Sequence, residues 1–332
     1  MVNPRFLPNF ASVLNMQICL LAKKIAERDY LNEQKWIFKR KRIIFKRKRM
    51  IDRCYIEITN TCNLNCDFCP KHQRKKRQLT AEEFDLLTDK VSGKVCFLYF
   101  HLMGEPLLHP LLPQFIQTAR AKGFKTVLTS NGTLLDRAMN LLETLPHKIQ
   151  LSLHSHESNA KGELSTYMDQ VMQFSTQAAQ NGTCMVLRLW NQGGRDKENE
   201  MVMEYIEKYV PKPWKERPDG FRLCDNLYLE FDRKFEWPDT EKKESENPEV
   251  FCKALFKQIG ILSDGSLVPC CLDHNGDVIL GNLFHQSLEE ILSSSRAQAM
   301  IEGFKHHTAT ESLCRNCESA LVRNSFRGKK RS

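Results

Sequence analysis

From Tyr55 to about residue 231, short apolar runs rich in β-branched and aromatic residues alternate with longer stretches whose apolar positions recur every three or four residues. The short runs predict six strands, near 54–60, 95–102, 125–130, 148–154, 184–190 and 226–231. The longer stretches predict helices near 80–91, 110–122, 133–144, 161–181 and 197–209, some closed by a glycine such as Gly123 or Gly182. Strand and helix in regular alternation is the pattern of β-α units around a parallel sheet or barrel, whose chemistry gathers where the strands end. Residues 211–250 break this rhythm, with several prolines and an acidic stretch from Asp239 to Glu249, and read as a connector apart from the one strand. Beyond it lies a compact segment, 251–320, with a hairpin expected from Ile259 to Cys271 turning at Asp264-Gly265 and a helix from about Ser287 to Gly303.

Composition adds little until charge is located. The chain has 332 residues, 41% hydrophobic and 27% charged, and a formal net charge of +9. Residues 1–53 hold 14 of the 49 basic residues but 4 of the 40 acidic ones, so the rest is within one charge of neutral. A nucleic-acid partner is therefore not expected of the globular part. The first 49 residues carry one helical stripe, Leu14, Ile18, Leu21 and Ile25, then a basic run from Lys39 to Arg49. They read as a dispensable extension before Met50, or as a segment for an anionic membrane or RNA. The longest apolar run there, Ile18 to Ala22, is too short for a membrane span or a signal core. The expected layout is an N-terminal extension (1–49), a core barrel (50–232), a linker (233–250), a C-terminal metal domain (251–320) and a basic tail (321–332).

Thirteen cysteines, several of them in metal-ligand rather than disulfide spacing, point to a reducing, cytoplasmic compartment. The first predicted strand runs into Cys62-Asn63-Leu64-Asn65-Cys66-Asp67-Phe68-Cys69, a CxxxCxxC loop at a strand end. Three thiolates suit a cubane cluster, because each takes one iron and the fourth iron stays open. A zinc ion completed by His72 or by water also satisfies this spacing. Later strand ends carry Met103-Gly104-Glu105-Pro106, Thr129-Ser130-Asn131-Gly132 and Ser152-Leu153-His154-Ser155, each of which a turn alone could explain. Arg188 is a charge in the apolar run Val186–Trp190 and calls for a carboxylate partner. His154 and Asn191 could line the same pocket at the strand ends, but a hydrogen-bonded structural role suits each better.

A second set, Cys252, Cys270, Cys314 and Cys317, supplies four ligands, enough for a [4Fe–4S] cluster or for zinc. Cys271 is an alternative to Cys270, which better fits the spacing from Gly265. Asp273 and His274 are candidate catalytic acid–base groups on the substrate side, although a turn at Asp273-His274-Asn275-Gly276 explains them equally.

The CxxxCxxC loop with Phe68 at its aromatic position, and the Gly104-Glu105-Pro106 turn, resemble the radical S-adenosylmethionine (SAM) superfamily. Cys252, Gly265-Ser266-Leu267-Val268-Pro269-Cys270 and the Cys314–Cys317 pair resemble its C-terminal SPASM extension in the shortened, one-cluster twitch form. The resemblance implies a partial (β/α)6 TIM-like barrel with a small α+β iron–sulfur domain. It implies that Cys62, Cys66 and Cys69 hold a [4Fe–4S] cluster whose open iron chelates SAM, and that the second set holds an auxiliary [4Fe–4S] cluster. Phe68, Gly104, Glu105, Ser130, Asn131, Ser152 and Arg188 would be the SAM contacts. The implied activity is reductive SAM cleavage to a 5′-deoxyadenosyl radical that removes hydrogen from a peptide or protein, with a sugar-alcohol dehydrogenase, a metal-binding scaffold or an RNA-modifying protein as alternatives. An electron donor such as flavodoxin or ferredoxin is implied as a partner.

Overall fold

A computed structural model describes residues 51–144, 146–159, 162–234, 236–241 and 249–321. The stripe through Leu14–Ile25, the basic run 39–49, part of the linker and the tail beyond Leu321 lie outside these residues.

All six expected strands are present: β1 (Ile51–Ile56), β2 (Val95–Tyr99), β3 (Lys125–Ser130), β4 (Lys148–Ser152), β5 (Cys184–Gln192) and, after two intervening strands, β8 (Leu227–Arg233). They pair in parallel in the order β1-β2-β3-β4-β5-β8. Helices α1 (Ala81–Val91), α2 (Leu112–Ala121), α3 (Leu141–Thr144), α4 (Ser155–Asn159), α5 (Leu164–Gln180) and α6 (Asn199–Tyr209) fill the crossovers. The strand period decides what each face does. Cys54, Ile56, Leu98, Phe100 and Leu128 are buried with Phe84 and Leu87 of α1, Phe115 of α2, and Met168 and Val171 of α5, and the Phe84 and Phe115 rings stack at 4.1 Å. Each such side chain contributes about 1.5–3 kcal/mol by burial. The alternate positions, among them Tyr55, Tyr99, Gln150, Arg188 and Glu230, line a cavity on the other face.

The connector holds more structure than its prolines suggest. Strands β6 (Lys215–Arg217) and β7 (Gly220–Cys224) form an antiparallel hairpin that adds to β8. Two expected helices are broken. Over 133–144 the chain makes successive i→i+3 bonds, from Arg137 N to Leu134 O and from Ala138 N to Leu135 O, and only α3 closes as a helix. The helix expected over 287–303 is two, α7 (Leu288–Ser293) and α8 (Ser295–Lys305), because Ser294 is extended and its side chain caps the second one by accepting from Ala297 N. Short helices α9 (Ser312–Arg315) and α10 (Glu318–Leu321) follow.

The expected C-terminal hairpin forms as β9 (Gln258–Ile261) and β10 (Ser266–Val268), with β11 (Gly281–Asn282) beside it. Its position is the informative part: β9 pairs in parallel with β1, Cys54 opposite Ile259 and Ile56 opposite Ile261. One eleven-stranded sheet therefore runs from β11 to β6 without closing. No described helix is long and apolar enough to cross a membrane.

Candidate functional site

The loop after β1 is shaped by a few polar residues. Asn60 staples its two ends, donating from Nδ2 to Lys75 O at 2.9 Å and accepting at Oδ1 from Arg77 N at 2.8 Å. Within it Cys62, Cys66 and Cys69 face one another closely enough that, after burial, the fields of Cys66 and Cys62 push the Cys69 thiol up to about 11. Helix α4 grips the same loop: Asn159 Oδ1 accepts from Asn65 N at 2.9 Å, and Ser158 Oγ accepts from Asp67 N at 2.9 Å.

Opposite stands the turn after β2. Gly104 has φ +80°, and a Cβ there would lie 2.3 Å from Thr59 O, so only glycine lets this turn lie against the cysteine loop. Glu105 N donates to Thr61 O at 2.9 Å. The Glu105 carboxylate is buried and accepts from Leu107 N at 3.0 Å and Asn131 N at 2.8 Å. Burial nevertheless raises it to about 7. Asn131 in turn donates to Asn63 Oδ1 at 3.0 Å, and its carbonyl accepts from Tyr167 OH at 2.9 Å. Ser130 Oγ accepts from Gly132 N at 3.0 Å.

Arg188, on β5, points into the cavity with its Nε buried and without a hydrogen-bond partner. Its guanidinium lies 4.1 Å from the Trp190 ring centroid, and desolvation lowers it to about 10, against the field of Glu230 on β8. A buried donor left open in a cavity is what an anionic ligand group would complete. His154 accepts at Nδ1 from Trp190 N at 3.3 Å, packs its ring 4.9 Å from Phe68 and lines the cavity, whereas Asn191, off that wall, bonds Arg195 O and Asn199.

The cavity has a volume of about 730 Å³. Its wall includes Cys62, Cys66 and Cys69 and every residue expected to contact SAM: Phe68, Gly104, Glu105, Ser130, Asn131, Ser152 and Arg188. The sequence did not single out Tyr55, Tyr99, His101 and Glu230, which share this wall. Their signal was polarity at alternate positions of strands buried on both faces.

The second set converges as well. Cys270 is pushed well above its ordinary value by burial and by the neighbouring thiols Cys271, Cys252 and Cys314, and Cys314 by burial, Cys252 and Cys317. Cys271 lines the cavity, hydrogen-bonded to Tyr55, and Cys270 does not. Asp273 and His274 are absent from the cavity wall. The Asp273 carboxylate accepts from Asp277 N at 2.8 Å and Val278 N at 3.0 Å, so it anchors its own turn. The His274 ring packs 5.6 Å from Trp237. The Asp273 carboxylate is thus taken up by its own turn, and the His274 ring stands behind Trp237, which lines the cavity.

Also unforeseen was Glu57, fully buried and held bidentately by Arg74 at 2.6 and 2.7 Å. It further accepts from Ser263 Oγ at 2.9 Å and Met103 N at 3.3 Å, while Arg74 Nε donates to His274 O at 3.1 Å. This pair ties the cysteine loop, the turn after β2 and the C-terminal hairpin together.

The donor sets fit iron–sulfur clusters. Three crowded thiolates repel one another, and a cationic iron core removes that repulsion. Among the described residues no three His, Cys, Asp or Glu side chains are gathered tightly enough for one mononuclear ion. A cluster that gives each sulfur its own iron does not require that.

Comparison with known proteins agrees with the geometry. Residues 56–212 match the radical SAM superfamily, and residues 252–318 match SPASM, an iron–sulfur cluster-binding domain. GTP 3′,8-cyclase of Chlorobaculum tepidum is 37% identical over 96 residues, 28% of this chain and 29% of that protein. Together with two further curated relatives it is matched over only 21–29% of its own length. The S-adenosyl-L-methionine-dependent 2-deoxy-scyllo-inosamine dehydrogenase of Niallia circulans is 21% identical over 80% of this chain and 92% of its own. The solved structure of Streptococcus suis SuiB bound to precursor peptide SuiA superposes with a TM-score of 0.55 at 17% identity, covering 90% of this chain and 77% of that one. With a three-thiol loop at the head of an open parallel barrel, and a four-thiol domain hydrogen-bonded to its first strand, the chain belongs to the radical SAM superfamily and carries a SPASM iron–sulfur domain.

Proposed function

We propose that this chain is an enzyme that binds SAM at a [4Fe–4S] cluster on Cys62, Cys66 and Cys69 and performs radical chemistry on a substrate in the barrel cavity. A second [4Fe–4S] cluster on Cys252, Cys270, Cys314 and Cys317 assists oxidation or electron transfer. One observation carries the reading: the three-thiol loop and Cys271, the chain neighbour of Cys270, line the same cavity.

When bound, cluster and SAM would supply the radical chemistry that removes a hydrogen atom from the substrate. The chain's own residues bind, orient and shield. Gly104 lets the backbone come close, the Glu105 carboxylate suits a cationic amino group, and the open Nε of Arg188 suits a carboxylate. Ser130, Asn131 and Ser152 offer polar contacts, and Phe68 walls the loop side. His101, held down to about 3 by burial and by the Arg188 field, stays neutral throughout the working pH range.

The substrate we favour is a peptide or protein segment. Exposed Lys71, Lys76 and Lys234 form part of the cavity lining, and the matched SuiB structure holds a precursor peptide. A small polyol is the second reading, favoured by the match over 92% of the inosamine dehydrogenase. A flavodoxin or ferredoxin would deliver the electron.

The test is iron and sulfide content with low-temperature EPR under anaerobic conditions, for wild type and for the Cys62→Ala/Cys66→Ala/Cys69→Ala variant, with 5′-deoxyadenosine measured after dithionite and SAM. About eight irons falling to about four, with nucleoside made by wild type alone, is expected for two [4Fe–4S] clusters. Zinc in place of iron, with no SAM cleavage, would sink the proposal. Deuterium transfer into 5′-deoxyadenosine from a deuterated peptide or from a deuterated cyclitol then separates the two substrate readings.

A further inference from the structure

Helix α4 does more than fasten the cysteine loop. Asn159 Nδ2 stands 3.1 Å from Cys66 Sγ, and also donates to Ser155 O at 2.8 Å. The orientation of its amide is fixed from the other end, because Oδ1 accepts the backbone N–H of Asn65 at 2.9 Å, which only an oxygen can do. The NH₂ group is thereby aimed at the sulfur. The other side-chain amide directed at this loop, Asn131 Nδ2, is 4.0 Å from Cys62 Sγ, too long to match it.

The structural half of the grip belongs to a different residue. Ser158 accepts from Asp67 N and donates to Asp67 Oδ1 at 2.7 Å, and Asp67 is also held by Arg195 at 2.9 Å. Ser158 also reaches the Cys66 thiol, but as a lesser contact than Asn159. Fastening thus falls mainly to Ser158 and sulfur contact mainly to Asn159, and substitution can rank the two.

A hydrogen bond to a cysteine sulfur draws negative charge away from the iron–sulfur core and stabilises the more negative, reduced state. We infer that Asn159 is a positioning residue that raises the reduction potential of the cluster on Cys62, Cys66 and Cys69 by donating its side-chain amide to Cys66. This rests on the proposed cluster, and it adds a tuning role to a residue outside both cysteine motifs.

The experiment is an EPR-monitored redox titration of the anaerobically loaded full chain, the SAM-responsive signal marking this cluster. Wild type is compared with Asn159→Asp, which keeps the acceptor for Asn65 but loses the donor, with Asn159→Leu, and with Ser158→Ala. Both Asn159 variants should hold at least tenfold less reduced cluster at a fixed potential, a downshift of about 59 mV or more for one electron. Ser158→Ala should lose iron faster while its potential falls by less than half as much. Unchanged potentials in iron-loaded Asn159→Asp and Asn159→Leu would overturn the inference, as would an equal shift in Ser158→Ala. Failure of both Asn159 variants to load iron while Ser158→Ala loads would also overturn it, leaving Asn159 a fastener only. Absence of any cluster in wild type is a different failure, that of the proposed function itself.

Discussion

Replacing Arg74 by Met should unfasten the cysteine loop from the C-terminal hairpin, and the size of the effect follows from what remains around Glu57. Glu57 is fully buried, and Arg74 is 15% exposed, so solvent screens the pair little. Removing one partner of a buried ion pair costs about 3–5 kcal/mol, because the other charge is left without a counter-ion. Here Glu57 would keep three donors, Ser263 N, Ser263 Oγ and Met103 N, which places the loss near the lower end, about 3 kcal/mol. For a unit of this size that is a fall in Tm of about 6–12 °C, with little dependence on salt. Scanning calorimetry of loaded protein measures it. The Glu57→Gln/Arg74→Met double variant should recover at least half of the loss, since a neutral amide no longer needs the guanidinium. A fall of less than about 2 °C in Arg74→Met, or a double variant no better than the single one, would refute the reasoning.

Two further outcomes follow from the cavity wall. Burial raises Glu105 to about 7, from an ordinary 4.5, so the folded protein holds that proton more tightly than the unfolded chain. Its contribution to stability is therefore full below pH 4.5 and lost as the pH rises through 7; denaturant midpoints of ligand-free protein should fall across that window, and those of Glu105→Gln should not. SAM affinity of the loaded protein, measured by calorimetric titration, should rise over the same window as Glu105 ionises beside the amino group. Arg188→Met should stabilise the ligand-free protein by about 1–2 kcal/mol, the relief of a buried unpaired charge less about 1 kcal/mol of contact with Trp190, while weakening SAM binding at least tenfold. A destabilised Arg188→Met with unchanged SAM affinity would show that Glu230, not a ligand, is its partner.

What the chain discloses before folding is uneven for physical reasons. Periodicity located the six parallel strands because each buries an apolar face under a helix, as Cys54 and Ile56 do on β1. Metal chemistry was legible because Cys62, Cys66 and Cys69 are local in sequence, and Cys314–Cys317 likewise. Contacts across long separations left no comparable mark. Glu57 looked like one acid at a strand end, and only the fold brings Arg74 and Ser263 to it. Asn159 lies 93 residues from Cys66, in a run that reads as a plain turn. Asp273, an acid close to Cys270 in sequence, reads equally as a catalytic group or a turn residue, and its carboxylate accepts from two turn amides. The break at Ser294 was written in the sequence as a cap, hidden within an unbroken helical period.

The pairing of β9 with β1 bears on how this chain could be cut or recombined. Its two recognisable portions are separated by a connector in sequence, yet the join runs through a ladder in which Arg53, Cys54, Tyr55 and Ile56 face Gln258 to Ile261. A core expressed without the C-terminal portion would present β1 as a bare edge, with unmet amides and carbonyls beside the cysteine loop, and such edges recruit other chains. Swapping in a foreign C-terminal portion would succeed only if its first strand reproduced that register, so the two portions behave as one sheet rather than as beads on a string.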